Sequence, residues 1–156
     1  IEVTDQRFTG RFMARDYVTV REQQRDGETV WTFSNVGRDR LKSAPAKVTR
    51  TGGRYSIMGA AWGAPIKAVE VQIHDGPWLP TTLDDQPYQS GRKARRYAWT
   101  FWRFDWGSPR SGEHRIRSRA IDVDGNVQPA PTDAFLTSRR TYWENNGQIA
   151  RMVRIP

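Results

Sequence analysis

The chain has 156 residues, 37% hydrophobic, 12% aromatic and 27% charged, with seven Trp, a composition that excludes a disordered chain and fits one domain or one domain with a long arm. The absence of Cys excludes disulfides, thiol catalysis and thiolate metal sites. No run approaches the ~20 apolar residues that span a bilayer, and no secretory signal is visible.

The net charge is +8, and 21 of the 25 basic residues are Arg. Such a balance favours anionic partners, because guanidinium forks match phosphates and other oxyanions. Arg is nevertheless spread along the whole chain, which also fits solvated strand faces. His74 and His114, 40 positions apart, are too few for a histidine-rich metal site. The first residue is Ile, so the expectation is a processed product or a piece of a longer protein, with any targeting segment outside it.

Residues 1–45 read as an extended arm that packs on something else. Tyr17–Arg21 and Thr29–Phe33 alternate, and Asp26-Gly27 between them is a hairpin-turn signal. Leu41-Lys42-Ser43-Ala44-Pro45 reads as a connector, since Pro45 biases Ala44 toward extended structure.

Residues 46–156 read as one domain. Lys47–Arg50, Thr51-Gly52-Gly53 and Arg54–Trp62 suggest strand, turn, strand. Ile66–Ile73 sets Val69, Val71 and Ile73 on one face and Glu70 and Gln72 on the other, the period of a half-buried strand. Asp75-Gly76-Pro77 turns the chain into Trp78, and a polar, basic loop follows over Asp84–Arg96. Tyr97–Trp106 carries aromatics on both faces, as expected of a central strand or of one shared between a core and an interface. Glu113–Ile121 places Arg115, Arg117 and Arg119 on one face; Asp124-Gly125-Asn126 is turn chemistry; Gln148–Ile155 alternates again. About seven short strands with no capped helical period predict an all-β immunoglobulin-like sandwich.

The chemistry-bearing patterns each have a plain structural reading. The Arg115-Arg117-Arg119 stripe suits an oxyanion, or a solvated face with acidic neighbours. Arg92, Lys93, Arg95 and Arg96 before the aromatic strand suggest single-stranded nucleic acid, but no recognised nucleic-acid motif accompanies them. Asp122 and Asp124 near Asn126 lack the further oxygen ligands of a calcium loop and read as an Asx turn. The tryptophans suit a sugar platform, or a core plus an interface; the latter accounts for Trp, Tyr and Arg together, and places Trp99, Trp102, Trp106 and Trp143 in a contact between two copies. No nucleophile-base-orienter set can be named, so no catalytic residue is assigned.

Gly59-Ala60-Ala61-Trp62-Gly63, then Val69 to Trp78, Trp99-Thr100-Phe101-Trp102, Arg119-Ala120-Ile121-Asp122, Asn126-Val127-Gln128-Pro129 and Trp143-Glu144-Asn145-Asn146-Gly147-Gln148 follow one another in an order that resembles the carboxy-terminal dimerisation domain of the sulfite oxidase family of molybdenum enzymes. The resemblance covers roughly residues 46–156. It implies an immunoglobulin-like (E-set type) sandwich that pairs two subunits, with the arm joining it to its own molybdenum-cofactor domain. The molybdopterin and its Cys ligand would lie in that absent domain, and this chain would carry no cofactor or metal and be non-catalytic alone. The parent would oxidise sulfite or a related small oxyanion and pass electrons to an acceptor. Periplasm and cytoplasm are both compatible with it. In eukaryotic members the stretch "W-N-x-R-G" lends an Arg to the substrate-anion pocket; here Asn146 stands at that place, which makes Arg139 and Arg140 the neighbouring candidates for an anion contact. The rival reading is an immunoglobulin-like module that binds carbohydrate or polyanions.

Overall fold

The computed structural model describes residues 2–6, 8–84, 98–138 and 141–156, and the side chain of Tyr142 is outside that set. The strands in chain order are β1 (Val18–Arg25), β2 (Glu28–Asn35), β3 (Lys42–Thr51), β4 (Arg54–Trp62), β5 (Ile66–Ile73), β6 (Trp78–Pro80), β7 (Thr82–Leu83), β8 (Thr100–Gly107), β9 (Gly112–Asp122) and β10 (Ala150–Ile155). Among the described residues the helical elements are a π-type turn at Phe12–Asp16, the short helix α1 (Ala134–Thr137) and a 3-10 turn at Tyr142–Glu144. No described helix is long and apolar enough to cross a membrane.

β1 and β2 form a separate antiparallel hairpin, in register from Val18↔Asn35 to Arg25↔Glu28. Its two-residue turn has positive φ at both Asp26 (53°) and Gly27 (81°), the geometry that continues the strand twist and that Asp-Gly tolerates. The remaining strands make two four-stranded antiparallel sheets, in the orders β3-β4-β8-β7 and β10-β9-β5-β6. Packed face to face they give the expected all-β sandwich.

The core lies between the sheets. Leu41, Ile57, Ala61 and Trp102 from one layer meet Val69, Val71, Ile116 and Ala120 from the other. Trp102 is fully buried, and its indole lies so close to Gly59 that a Cβ there would run into the ring and into the Ala44 carbonyl. The glycine of the Gly59–Trp62 segment is therefore a consequence of how deeply the central tryptophan sits.

The expected connector at 41–45 is corrected. Leu41 joins the core and the rest opens β3, the edge strand of its sheet. Pro45 is tolerated because an edge strand at a register shift (here Pro45/Lys47) does not need the missing N–H. The sandwich thus begins before residue 46. The aromatic strand starts at Thr100 rather than Tyr97, and the last strand at Ala150 rather than Gln148. Tyr97 and nearly all of the basic loop at 84–96, with Arg92, Lys93, Arg95 and Arg96, lie outside the described residues.

Two polar groups tie the layers together. Ser43 Oγ and Ser118 Oγ share a hydrogen bond of 2.8 Å across the core. The Gln128 side chain, buried to 1% exposure, accepts from the backbone N–H of Ser43 (2.8 Å) and of Ala120 (3.2 Å) through Oε1. Through Nε2 it donates to the carbonyls of Asn146 (3.0 Å) and Gly147 (3.1 Å). One carboxamide therefore joins β3, β9 and the segment entering β10. Gln128→Leu strands these buried backbone groups without partners and should cost about 2–4 kcal/mol of unfolding free energy in urea titration.

The Asp122-Asp124-Asn126 group is a turn, not an open cation loop. Asp122 accepts from the backbone N–H of Asp124 (3.0 Å) and Asn126 (2.9 Å) and from Asn126 Nδ2 (2.9 Å). Burial opposes its charge, but these hydrogen bonds outweigh burial and hold the carboxyl below the usual carboxylate range. The stability so gained is fully present above the ordinary aspartate value of about 4 and is lost as pH falls through the lower folded value. Acid titration of stability should show this loss in the native chain and a flatter acid limb in Asp122→Asn.

Candidate functional site

A basic cleft of about 380 Å³ opens where β1, the β2–β3 connection and the 3-10 turn converge, lined by Arg21, Arg38, Arg40, Trp143 and Glu144 among others. Glu144, 7% exposed, is its hub. Its Oε1 accepts from Arg21 Nη2 (2.8 Å) and Arg40 Nη2 (3.0 Å), and its Oε2 from the Thr141 hydroxyl (2.7 Å). Trp143 packs against Tyr17 with ring centroids 5.9 Å apart, and Tyr17 against Phe12 at 6.1 Å. The cleft thus clamps the hairpin to the sandwich with one buried carboxylate and one ring contact. Arg21, Arg38 and Arg40 against Asp39 and Glu144 leave the lining with one net positive charge, and Arg38 is the guanidinium not bonded to Glu144.

The expected anion residues are placed differently. Arg139 and Arg140 lie outside the described residues. Asn146 is buried, and its Nδ2 donates to the Leu41 carbonyl at 3.0 Å, so it points into the sandwich and not into the cleft. Gly147 N–H donates to Asn145 Oδ1 (2.9 Å), while Lys42 Nζ donates to the Asn145 carbonyl (2.8 Å) and is pulled below its usual pKa by burial. The Trp143–Gly147 stretch is therefore fastened to β3 and Gln128. The hub that the sequence reading missed, Glu144, occupies the second position of the same motif. Its partners lie 123 and 104 residues away, and no local signal announces them.

The four tryptophans assigned to an interface separate into distinct environments. Trp102 is a core residue with no surface to offer, which removes it from any contact between copies. Side chains 102, 104 and 106 of β8 face inward; Trp106 packs on the core and edge-on against His114 at 4.9 Å. Trp143 is half-buried in the cleft. Trp99 is 57% exposed and stacks on Trp62, centroids 5.1 Å apart at 19°. That stack closes one face of each ring, which weighs against a sugar platform. Beside it lies Phe101, 46% exposed, in cross-strand register with Ala60, which in turn pairs with Ala44. These residues form an apolar patch on the outer face of the β3-β4-β8-β7 sheet, bordered by Lys42 opposite Trp62 and by Lys47 and Arg103 on either side of Met58. Trp62 and Phe101 were not among the residues assigned to the interface from sequence, although the outward parity of Phe101 in its strand was readable.

The opposite outer face is ionic and largely paired. Arg115 pairs with Asp75, Arg117 donates to Gln72, and Arg119 meets Glu70 at 2.6 Å while lying 4.3 Å over the Trp78 ring. The solvated-face reading of the arginine stripe is the one the geometry bears out.

Among the described residues no group of three or more His, Asp or Glu is placed to hold a metal, and the chain has no Cys. These residues do not fit a molybdenum cofactor, and no chemical step through one is assigned to them. Residues 40–147 match the family model for the Mo-co oxidoreductase dimerisation domain. No curated protein matches the chain. The crystal structure of the sulfane dehydrogenase SoxCD from Paracoccus pantotrophus is similar, with 27% identity and a TM-score of 0.64 over 96% of this chain. The chain spans 38% of that relative's length. With the model covering most of the sandwich, the chain belongs to the Mo-co oxidoreductase dimerisation domain family.

Proposed function

We propose that this chain is the pairing and support domain of a sulfite-oxidase-like molybdenum oxidoreductase that oxidises sulfite or a related reduced sulfur compound. The cofactor and the chemistry lie in another part of the parent protein, and the electrons pass on to an acceptor. The observation that carries the reading is the open apolar stripe of Trp62, Trp99 and Phe101 on the outer face of the β3-β4-β8-β7 sheet, in a chain whose family is a dimerisation domain. A second copy is the occupant that this stripe fits. An isologous contact sets the same patch against itself and buries rings whose exposure is otherwise unfavourable. The ionic ladder on the other sheet is already paired and gains little from a partner.

The hairpin supports a second role. Thr19 and Arg21 turn toward the sandwich and the cleft, whereas Phe33 and Trp31, on the opposite face with Val20, are 65% and 40% exposed. A hairpin whose Thr19 and Arg21 turn to its own domain, with Val18 buried at its base and Phe33 exposed farther along the same face, is arranged to carry the cofactor domain, with Glu144 fixing its angle. The arginine-lined cleft at that junction then faces the anionic substrate.

Two outcomes test this reading. The full chain should sediment as a dimer, and Phe101→Arg with Trp99→Arg should weaken pairing roughly 30-fold or more, as loss of a ~2 kcal/mol hot spot does; a monomer at all micromolar concentrations counts against it. Glu144→Gln should loosen the hairpin by about 1–2 kcal/mol, the buried-pair cost discounted for the exposed Arg side. Hydrogen exchange should show faster β1 and β2 amides while the Trp102 core stays protected.

A further inference from the structure

The fold brings the two histidines of the chain together. His74 sits in the turn after β5, with a left-handed backbone (φ 54°) that is uncommon for a residue with a side chain. Its N–H donates to the Arg115 carbonyl at 2.7 Å, which seats the turn against β9. His114 is on β9. Nε2 of His74 and Nδ1 of His114 are 3.1 Å apart, and His114 Nε2 lies 2.8 Å from the Arg110 carbonyl. A carbonyl only accepts, so His114 Nε2 carries a proton and donates to it, and one proton is shared in the contact between His114 Nδ1 and His74 Nε2. The Trp106 ring, edge-on to His114, holds that imidazole in place.

We propose that His74 and His114 form a two-imidazole site for a borderline divalent transition-metal ion of the zinc or copper class. Two nitrogens 3.1 Å apart, each about 2.0 Å from an ion, subtend roughly 100° at the metal, between the square and tetrahedral angles. The ion takes the place of the single proton between the rings, once each ring turns to aim its lone pair off the nitrogen–nitrogen line. His114 is already supported as a good ligand, because its other nitrogen donates to a carbonyl. The charges around the site nearly cancel: Arg115 is paired with Asp75, the residue after His74, and Glu113 lies opposite Arg154 across the β9–β10 ladder. Water fills the remaining positions, since His74 is exposed. The bound ion would pin the β5–β6 turn to β9 on the arginine-ladder sheet, away from the apolar stripe. Metal binding here is independent of how the parent enzyme works.

The test uses the full chain with Zn2+ and, separately, Cu2+ as probes. One equivalent of Zn2+ should shift the imidazole resonances of both histidines and raise the melting temperature. Cu2+ should bind more tightly, with two nitrogen donors in its paramagnetic resonance spectrum. His74→Gln and His114→Gln should each weaken binding roughly tenfold or more, at least the cost of losing an outer-shell partner. Binding should weaken as pH falls, because a proton and the metal compete for the same ring nitrogen. Unmoved imidazole resonances at millimolar Zn2+, or unchanged affinity in both folded variants, would show a plain hydrogen-bonded pair and overturn the proposal.

Discussion

The structure depends on a single buried carboxamide. Gln128 is buried, so both ends of its amide must be satisfied inside the fold, and they are satisfied by three separate segments of the chain. Two sheets packed by side chains alone can slide, because dispersion and burial are non-directional. A carboxamide that accepts from β3 and β9 and donates to the approach to β10 permits one register. The Ser43–Ser118 bond across the core adds to the same constraint. Gln148 Nε2 in turn donates to the Gln128 carbonyl at 3.0 Å.

That constraint explains why the two outer faces can differ so sharply. With the layers fixed from inside, neither face is needed to hold the sandwich together. One carries arginines matched to acidic and amide partners; the other carries a patch of rings and alanines bordered by Lys42, Lys47 and Arg103. The first is content in water, and the second is the face proposed for pairing. The hairpin is attached differently, through Glu144 and a ring contact. It is held firmly enough to be oriented yet shares no sheet with the sandwich.

Much of this was legible in the order of residues. The bounds of β4 and β5, the Asp26-Gly27 turn and the outward row of Arg115, Arg117 and Arg119 follow from alternation and turn chemistry. The motif order also pointed to the family, and residues 40–147 match its model. Pro45 was misleading, because a residue that breaks a central strand is harmless on an edge. Trp102 was misleading for another reason. Period two says which side chains share a face, but not which of two aromatic faces meets the core. Asn146 was read as the remnant of an anion contact, whereas its position serves the Leu41 carbonyl.

Sequence alone was enough for the strands, their two-sidedness and the sandwich class, because alternation and turn residues are local patterns and their number and spacing point to that class. The Glu144 clamp, the Gln128 bridge and the His74–His114 pair were decided only by the tertiary structure. Each joins residues whose side chains are ordinary in local context and become specific when sheet order and register bring them within hydrogen-bond distance. Which partner a buried polar group finds is a property of topology, and alternation along a strand carries no information about it.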